Sequence, residues 1–209
     1  MSKLKSRGKL TIGLLAVILA VGLSFMSTHV LAKDIKVLRI GIGIDPDTIN
    51  PIEITTAIPA NITELLYDTL FKTNAKGEVI PNMATEWSVS EDGLTWTFKL
   101  RHGIKFIDGA PLNAQTLKRH LELVQDPKVR MPLRFVFAQV KSLTIVDEYT
   151  VQYNFHAPYA PFLNLMTAFC IPSQKAVTPY DGSKLNQNPV GAGPYKLAEW
   201  MRGERMVLV

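Results

Sequence analysis

With 209 residues, 47% of them hydrophobic and 20% charged, the chain can bury a core in one or two domains. Its single cysteine excludes an internal disulfide, and with it a stapled mini-protein. The formal charge of +5 suggests an acidic partner such as nucleic acid, but the placement of the cations removes that reading.

The first 32 residues have the three parts of an export signal. Lys3, Lys5, Arg7 and Lys9 make a cationic start, residues 10–26 carry no charge, and Val30-Leu31-Ala32 suits a signal peptidase cutting between Ala32 and Lys33. An uncleaved anchor needs about 20 apolar residues, and Ser27, Thr28 and His29 interrupt such a span. No cysteine lies at the cut, so release into the periplasm is expected rather than a lipid anchor. Four of the 23 cations and none of the 18 acids lie in this signal, which leaves 19 against 18 in the mature part. The excess charge therefore belongs to targeting, and no nucleic-acid partner is expected.

The alternation of Leu38, Ile40, Ile42 and Ile44 predicts a strand over 37–44, with Gly41 and Gly43 baring its other face. Gly41-x-Gly43 does not extend to a dinucleotide fingerprint, because Pro46 stands where the third glycine is needed. Asp45-Pro46-Asp47 and Asn50-Pro51 are turn signals. A helix is predicted from Ile58-Pro59, with Ile62, Leu65, Leu66 and Leu70 on its apolar face. The sequon Asn61-Ile62-Thr63 falls inside that helix and is read as chance.

Trp87-Ser88-Val89 and residues 94–100 form a predicted hairpin across the turn 90–93. Trp96, Phe98 and Leu100 face one way, and Gly93 supplies the positive φ of the turn. After a second turn at Asp108-Gly109, Asn113 caps a helix whose buried stripe is Leu117, Leu121 and Val124, with Leu112 as the staple. Residues 143–146 and 150–155 read as two strands, and 162–169 as a short helix. Lys196 to Trp200 reads as a strand, Arg202-Gly203-Glu204 as a turn, and 206–209 as the start of a further strand. An apolar strand is an unusual natural terminus, so a truncated chain is expected.

Motifs for catalysis are missing. His29, His102, His120 and His156 are scattered, and none has metal-ligand spacing with a cysteine or carboxylate. There is no Gly-x-Ser-x-Gly elbow, Walker loop or His-Glu-x-x-His, and Cys170 between Phe169 and Ile171 reads as a buried apolar thiol. No metal, no cofactor and no enzymatic activity are expected.

Several stretches together resemble the extracytoplasmic solute-binding proteins of family 5, the peptide, nickel and oligosaccharide receptors of ABC importers. The strongest runs from Gly77 to Trp87 (GEVIPNMATEW), through 90–101 (SEDGLTWTFKLR), to 103–114 (GIKFIDGAPLNA). Val146-Asp147-Glu148-Tyr149-Thr150-Val151 and Pro189-Val190-Gly191-Ala192-Gly193-Pro194-Tyr195 add two more blocks in the family's order.

The resemblance implies an α/β fold of the class II, two-lobed periplasmic binding protein type. Here it would comprise an incomplete first lobe plus the family's small extra α+β domain. On that template 33–65 is the first segment of lobe one, 66–176 the extra domain and 177–209 the return to lobe one. The lobe carrying the other cleft wall would be missing. The implied function is to capture a peptide-like solute, such as an oligopeptide, and deliver it to the membrane permease of an ABC transporter, with the full-length protein a monomer.

In peptide-binding relatives the ligand backbone pairs with exposed backbone. The matching stretch is Ile54, Thr55, Thr56 and Ala57, which also reads as an ordinary strand-to-helix connection. Arg130 resembles an arginine that reaches the cleft in nickel-binding members, but reads more readily as an exposed loop cation. Those members also carry an arginine shortly before the segment resembling 171–174, where this chain has Ala168-Phe169-Cys170, which lowers the nickel reading. A nickel-chelate or oligosaccharide receptor is the alternative within the family. A secreted enzyme with its catalytic residues in the missing part, or a complete ligand-free interaction module, are alternatives of other classes.

Overall fold

The computed structural model describes residues 36–209, and the export signal with its cut between Ala32 and Lys33 lies outside them. The chain divides into two units, Met1–Gly41 and Ile42–Val209. Of the first, residues 36–41 form neither helix nor strand. In the second, the elements in chain order are α1 (Ala57–Leu66), β1 (Asp68–Thr69), β2 (Phe71–Thr73), β3 (Val79–Pro81), β4 (Ala84–Val89), β5 (Thr95–Leu100) and α2 (Ala114–Gln125). A 3-10 turn (Arg134–Phe137) follows, then β6 (Val140–Asp147), β7 (Thr150–Phe155), α3 (Phe162–Leu165), β8 (Cys170–Ile171), α4 (Gly182–Gln187), β9 (Leu197–Met201) and β10 (Arg205–Leu208).

The central layer is a four-stranded antiparallel sheet in the order β4-β5-β7-β6. Its first hairpin closes where the sequence predicts. Gly93 takes φ +71°, Ser90 Oγ accepts from the Thr95 amide at 2.9 Å, and Asp92 Oδ1 accepts from the Leu94 amide at 3.0 Å. Strict alternation along β5 buries Trp96, Phe98 and Leu100 and turns Lys99 outward. β7 alternates in phase, burying Val151, Tyr153 and Phe155 beside it. Helix α2 then covers β6 and β7. It starts at a capping box in which Asn113 Oδ1 accepts from the Thr116 amide at 3.2 Å and Thr116 Oγ1 accepts from the Asn113 amide at 3.4 Å. Leu117, Leu121 and Val124 are buried as expected, together with His120.

Aromatic rings fill the space under this sheet. Phe162 of α3 stacks on Phe98 with centroids 5.8 Å apart, and meets Phe155 edge-on at 4.7 Å. A second, smaller cluster lies elsewhere: Ile49, Leu66, Tyr67 and Cys170, covered by Leu197, Trp200, Met206 and Leu208 of the β9–β10 hairpin. Cys170 is buried, and burial pushes its thiol up to about 12, which keeps it protonated and unreactive at neutral pH.

The chain between these clusters is pinned by close backbone approach. Gly193 donates its amide to Leu66 O at 3.1 Å and Tyr195 donates to Leu65 O at 3.0 Å. A β-carbon at Gly191 would stand 2.2 Å from Leu66 O and 2.7 Å from Tyr67 Cα, both backbone atoms that cannot move aside. Gly191→Ala is therefore expected to destabilise by about 1–3 kcal/mol, towards the upper end. Each kcal/mol corresponds to a drop in melting temperature of roughly 2–4 °C for a domain of this size. Gly41→Ala, which would meet nothing within 4 Å, is the control, and equal melting of the two variants would contradict the argument.

Three expectations need correction. No strand forms over 37–44, and Leu38, Ile40, Ile42 and Ile44 are exposed. Alternation supplies a strand's faces but not its hydrogen-bonding neighbour, and no ladder partner for this stretch exists among the described residues. Helix α1 ends at Leu66, so Leu70 lies beyond it between two short strands, and Leu65 is exposed. Its buried side is instead Pro59, Thr63 and Leu66, with Thr63 Oγ1 returning a 2.7 Å bond to Pro59 O. The helix predicted over 162–169 is one turn, Phe162–Leu165, because Cys170 and Ile171 are drawn into a ladder with Asp68 and Thr69. The strand expected from 206 does form: β10 pairs antiparallel with β9 across a turn with Gly203 at φ +73°.

Candidate functional site

The approach to residues 54–57 is built by a buried asparagine. Asn50 is fully buried and uses each of its polar groups. Its amide donates to Thr48 Oγ1 at 3.0 Å, its Oδ1 accepts from the Ile52 amide at 3.1 Å, and its carbonyl accepts from the Glu53 amide at 3.1 Å. These bonds wind Pro51, Ile52 and Glu53 into the turn that the Asn-Pro pair signals. Upstream, Asn186 Oδ1 of α4 accepts from the Ile49 amide at 2.8 Å. Further upstream, Asp45 accepts from Trp200 Nε1 at 2.9 Å and from the Gly203 amide at 3.1 Å, while Arg202 lies 3.4 Å over the Trp200 ring.

Beyond this anchored turn the chain is bare. Ile54 is half-buried, and Thr55, Thr56 and Ala57 are exposed. The amides of Ile54, Thr55 and Thr56 find no acceptor among the described residues. Thr56 is extended (φ −127°, ψ 160°) and opens α1 without capping it by its side chain, and no acidic residue follows in the first turn. Ile54, Thr55 and Thr56 thus carry free amides between a fixed turn and a helix, while the Thr56 carbonyl accepts from the Ala60 amide at 3.3 Å and Ala57 is the first residue of α1. Extended backbone with free donors and acceptors can pair with another extended chain.

Arg130 lies in a different loop, between α2 and the 3-10 turn. It is exposed and makes no hydrogen bond or ion pair among the described residues, whereas its neighbour Arg134 is held by Gln125 O at 3.1 Å and by Val129 O. The structure does not bring Arg130 into contact with 54–57. A concavity of about 510 Å³ on the sheet, lined by Glu86, Lys99, Arg101, His102, Asp147 and Tyr149 among others, contains none of the expected residues. Two of its charges pair with each other through the 2.7 Å bond from Lys99 Nζ to Glu86 Oε2, while Arg101 donates to Asn82 O at 2.9 Å and Asp147 accepts from the Tyr149 amide at 2.8 Å. No cluster of three or more metal-ligating side chains occurs among the described residues.

Sequence reasoning missed what holds the segment. Tyr180 Oη accepts from Asn50 Nδ2 at 2.8 Å and donates to Glu53 Oε1 at 3.0 Å. Burial is the main cause that pushes this phenol up to about 12; the bond from Asn50 opposes it and the charge of Glu53 adds to it. The partners are 130 and 127 positions apart, so no local pattern announces them.

A sequence profile of the bacterial extracellular solute-binding proteins, family 5 Middle, matches residues 78–209. The chain belongs to this family. The glutathione-binding protein GsiB of Escherichia coli O1:K1 / APEC is 30% identical over 167 residues, 79% of this chain and 32% of GsiB. The chain thus spans about a third of the length of the curated relatives it matches. The solved structure of NikZ from Campylobacter jejuni, in complex with Ni(L-His), superposes with a TM-score of 0.72 at 26% identity, covering 78% of this chain and 33% of NikZ. The Escherichia coli murein tripeptide binding protein MppA gives a TM-score of 0.71 at 28% identity, covering 80% of this chain and 36% of MppA. The described residues therefore share the mixed α/β fold of class II periplasmic binding proteins, and members of the family are extracytoplasmic binding proteins. Among the described residues, no helix is long and apolar enough to cross a membrane.

Proposed function

We propose that this chain belongs to the substrate-binding component of an ABC importer, which captures a peptide-like solute and passes it to a membrane permease. The observation that carries the reading is the row of free amides at Ile54, Thr55 and Thr56 behind an anchored turn, with Thr56 extended. Pairing through backbone makes the site tolerant of solute side chains, as suits peptides of varied sequence. The GsiB and MppA relatives, one glutathione-binding and one binding murein tripeptide, support a peptide-like ligand. Arg130 is proposed as a second contact, an unpaired cation for an anionic group on the solute.

The domain division at 65/66 and 176/177 belongs to the same proposal. In its favour, Ile49 of the first segment packs in a small cluster with Leu197, Trp200, Met206 and Leu208 of the return segment, a cluster that Leu66, Tyr67 and Cys170 of the middle segment also join. The working location is the periplasm, reached by the signal of residues 1–32 and without a lipid anchor. The protein acts as a monomer, and it binds its solute without chemical change.

Calorimetric titration of the complete gene product tests this with reduced glutathione, Ala-Ala-Ala and a nickel–histidine chelate. Saturable binding of a peptide, recovered intact by mass spectrometry, is expected. Binding of the chelate alone would replace the peptide reading with the nickel one, and turnover of the peptide would make the protein an enzyme. Thr55→Pro, which deletes one free amide, should weaken peptide binding by up to about tenfold, while Thr55→Val should leave it unchanged.

A further inference from the structure

We propose that Tyr180 and Glu53, with Gly182 making room for them, form a latch that positions the solute-contacting segment 54–57. This rests on the reading of that segment as the solute contact. The Tyr180 hydroxyl lies between two partners of opposite kind, accepting from Asn50 Nδ2 at 2.8 Å and donating to Glu53 Oε1 at 3.0 Å. A carboxylate can only accept and an amide nitrogen can only donate, so the hydroxyl has one orientation.

A second, independent feature converges on the same carboxylate. A β-carbon at Gly182 would stand 2.4 Å from Glu53 Oε1, 3.0 Å from Tyr180 Oη and 3.1 Å from Asn50 Nδ2. The entry to α4 is thus shaped around Glu53, and any side chain there would push the carboxylate away. Glu53 is the residue immediately before Ile54.

Holding the fold together does not require this latch. The turn 50–53 is already closed by the bonds of Asn50 to Thr48, Ile52 and Glu53, and by burial of Ile52. What the latch adds is a fixed direction for the chain as it leaves the turn. An open strand that must pair with a solute gains affinity when it is ordered before the solute arrives. Tyr180 and Glu53 are therefore positioning residues, and neither touches the solute.

The test combines motion with affinity. In the ligand-free chain, ¹⁵N order parameters of residues 54–57 should fall from about 0.85 to below about 0.6 in Tyr180→Phe. Glu53→Ala and Gly182→Ala should do the same, while Glu53→Gln, which keeps the acceptor, should stay rigid. In the complete gene product, the mobile variants should bind Ala-Ala-Ala about five- to tenfold more weakly, and Glu53→Gln within about twofold of the original, as expected for lost preorganisation. A rigid segment in Tyr180→Phe and Gly182→Ala overturns the latch. Equal loss of affinity in Glu53→Gln and Glu53→Ala overturns the positioning role, since the charge itself would then contact the solute. Mobility with unchanged affinity leaves the latch standing and rejects 54–57 as the contact. If Ala-Ala-Ala does not bind the unsubstituted protein, the peptide reading fails and the order parameters alone decide the latch.

Discussion

Phe98→Ala is expected to destabilise the protein by about 3–5 kcal/mol, the range for emptying an aromatic site in a rigid core. Phe98 is fully buried on a central strand, with ring contacts to Phe71 at 5.1 Å, Tyr153 at 5.6 Å and Phe162 at 5.8 Å. These neighbours come from β2, β7 and α3, so no single element can shift to fill the void. Urea denaturation should show the midpoint fall with little change in slope. Phe98→Leu, which keeps most of the volume, should lose far less. A loss below about 1 kcal/mol for the alanine variant would mean that the core collapses freely, against the packing argument.

Acidification should remove stability through one histidine. His120 is almost completely buried on α2, against the edge of Phe137, and burial lowers its pKa from 6.5 to about 4. The unfolded chain therefore takes up a proton between those values while the folded chain does not. Stability is fully present above pH 6.5 and is lost as pH falls from 6.5 towards 4. At 1.36 kcal/mol per pKa unit the loss amounts to about 3 kcal/mol. Unfolding free energies measured at pH 7 and pH 4 should differ by that much more in the original protein than in His120→Leu. Parallel pH profiles for the two would show that His120 is not the group responsible.

The parts of the fold that sequence made legible are those whose signals are local. The β4–β5 hairpin announces itself through Ser90, Asp92 and Gly93 and through the alternation that places Trp96, Phe98 and Leu100 on one face. Asn113 and Thr116 mark the start of α2 in the same way. What stayed hidden depends on partners far along the chain. Whether 37–44 becomes a strand depends on a neighbour that its own alternation cannot specify. The ladder joining Asp68 and Thr69 to Ile171 and Cys170 is too short to leave a period in either segment.

The candidate site divides along the same line. Ile54, Thr55, Thr56 and Ala57 came from likeness to a family; the first three carry free amides and the fourth begins α1. Tyr180 and Gly182 came from geometry alone, because nothing within ten residues of either mentions Asn50 or Glu53. Arg130 gained nothing from the structure beyond its exposure.

The bonds that tie Asp45 to Trp200 and Asn50 to Tyr180 span 155 and 130 positions. Long separations delay contact formation, because the intervening loop must be closed before any bond rewards it. The β4–β5 and β6–β7 hairpins can close within a few residues, and so can α2. The turn before residues 54–57 can close locally, but its tethers through Asp45, Asn50 Nδ2 and Glu53 must wait until residues 180–203 have been synthesised. During that interval Asn50 Nδ2 and the apolar face of α1 have no lasting partners, so this stretch matures late although it is made early. A chaperone or a protease that meets the growing chain would find it there, while the central sheet is already closed.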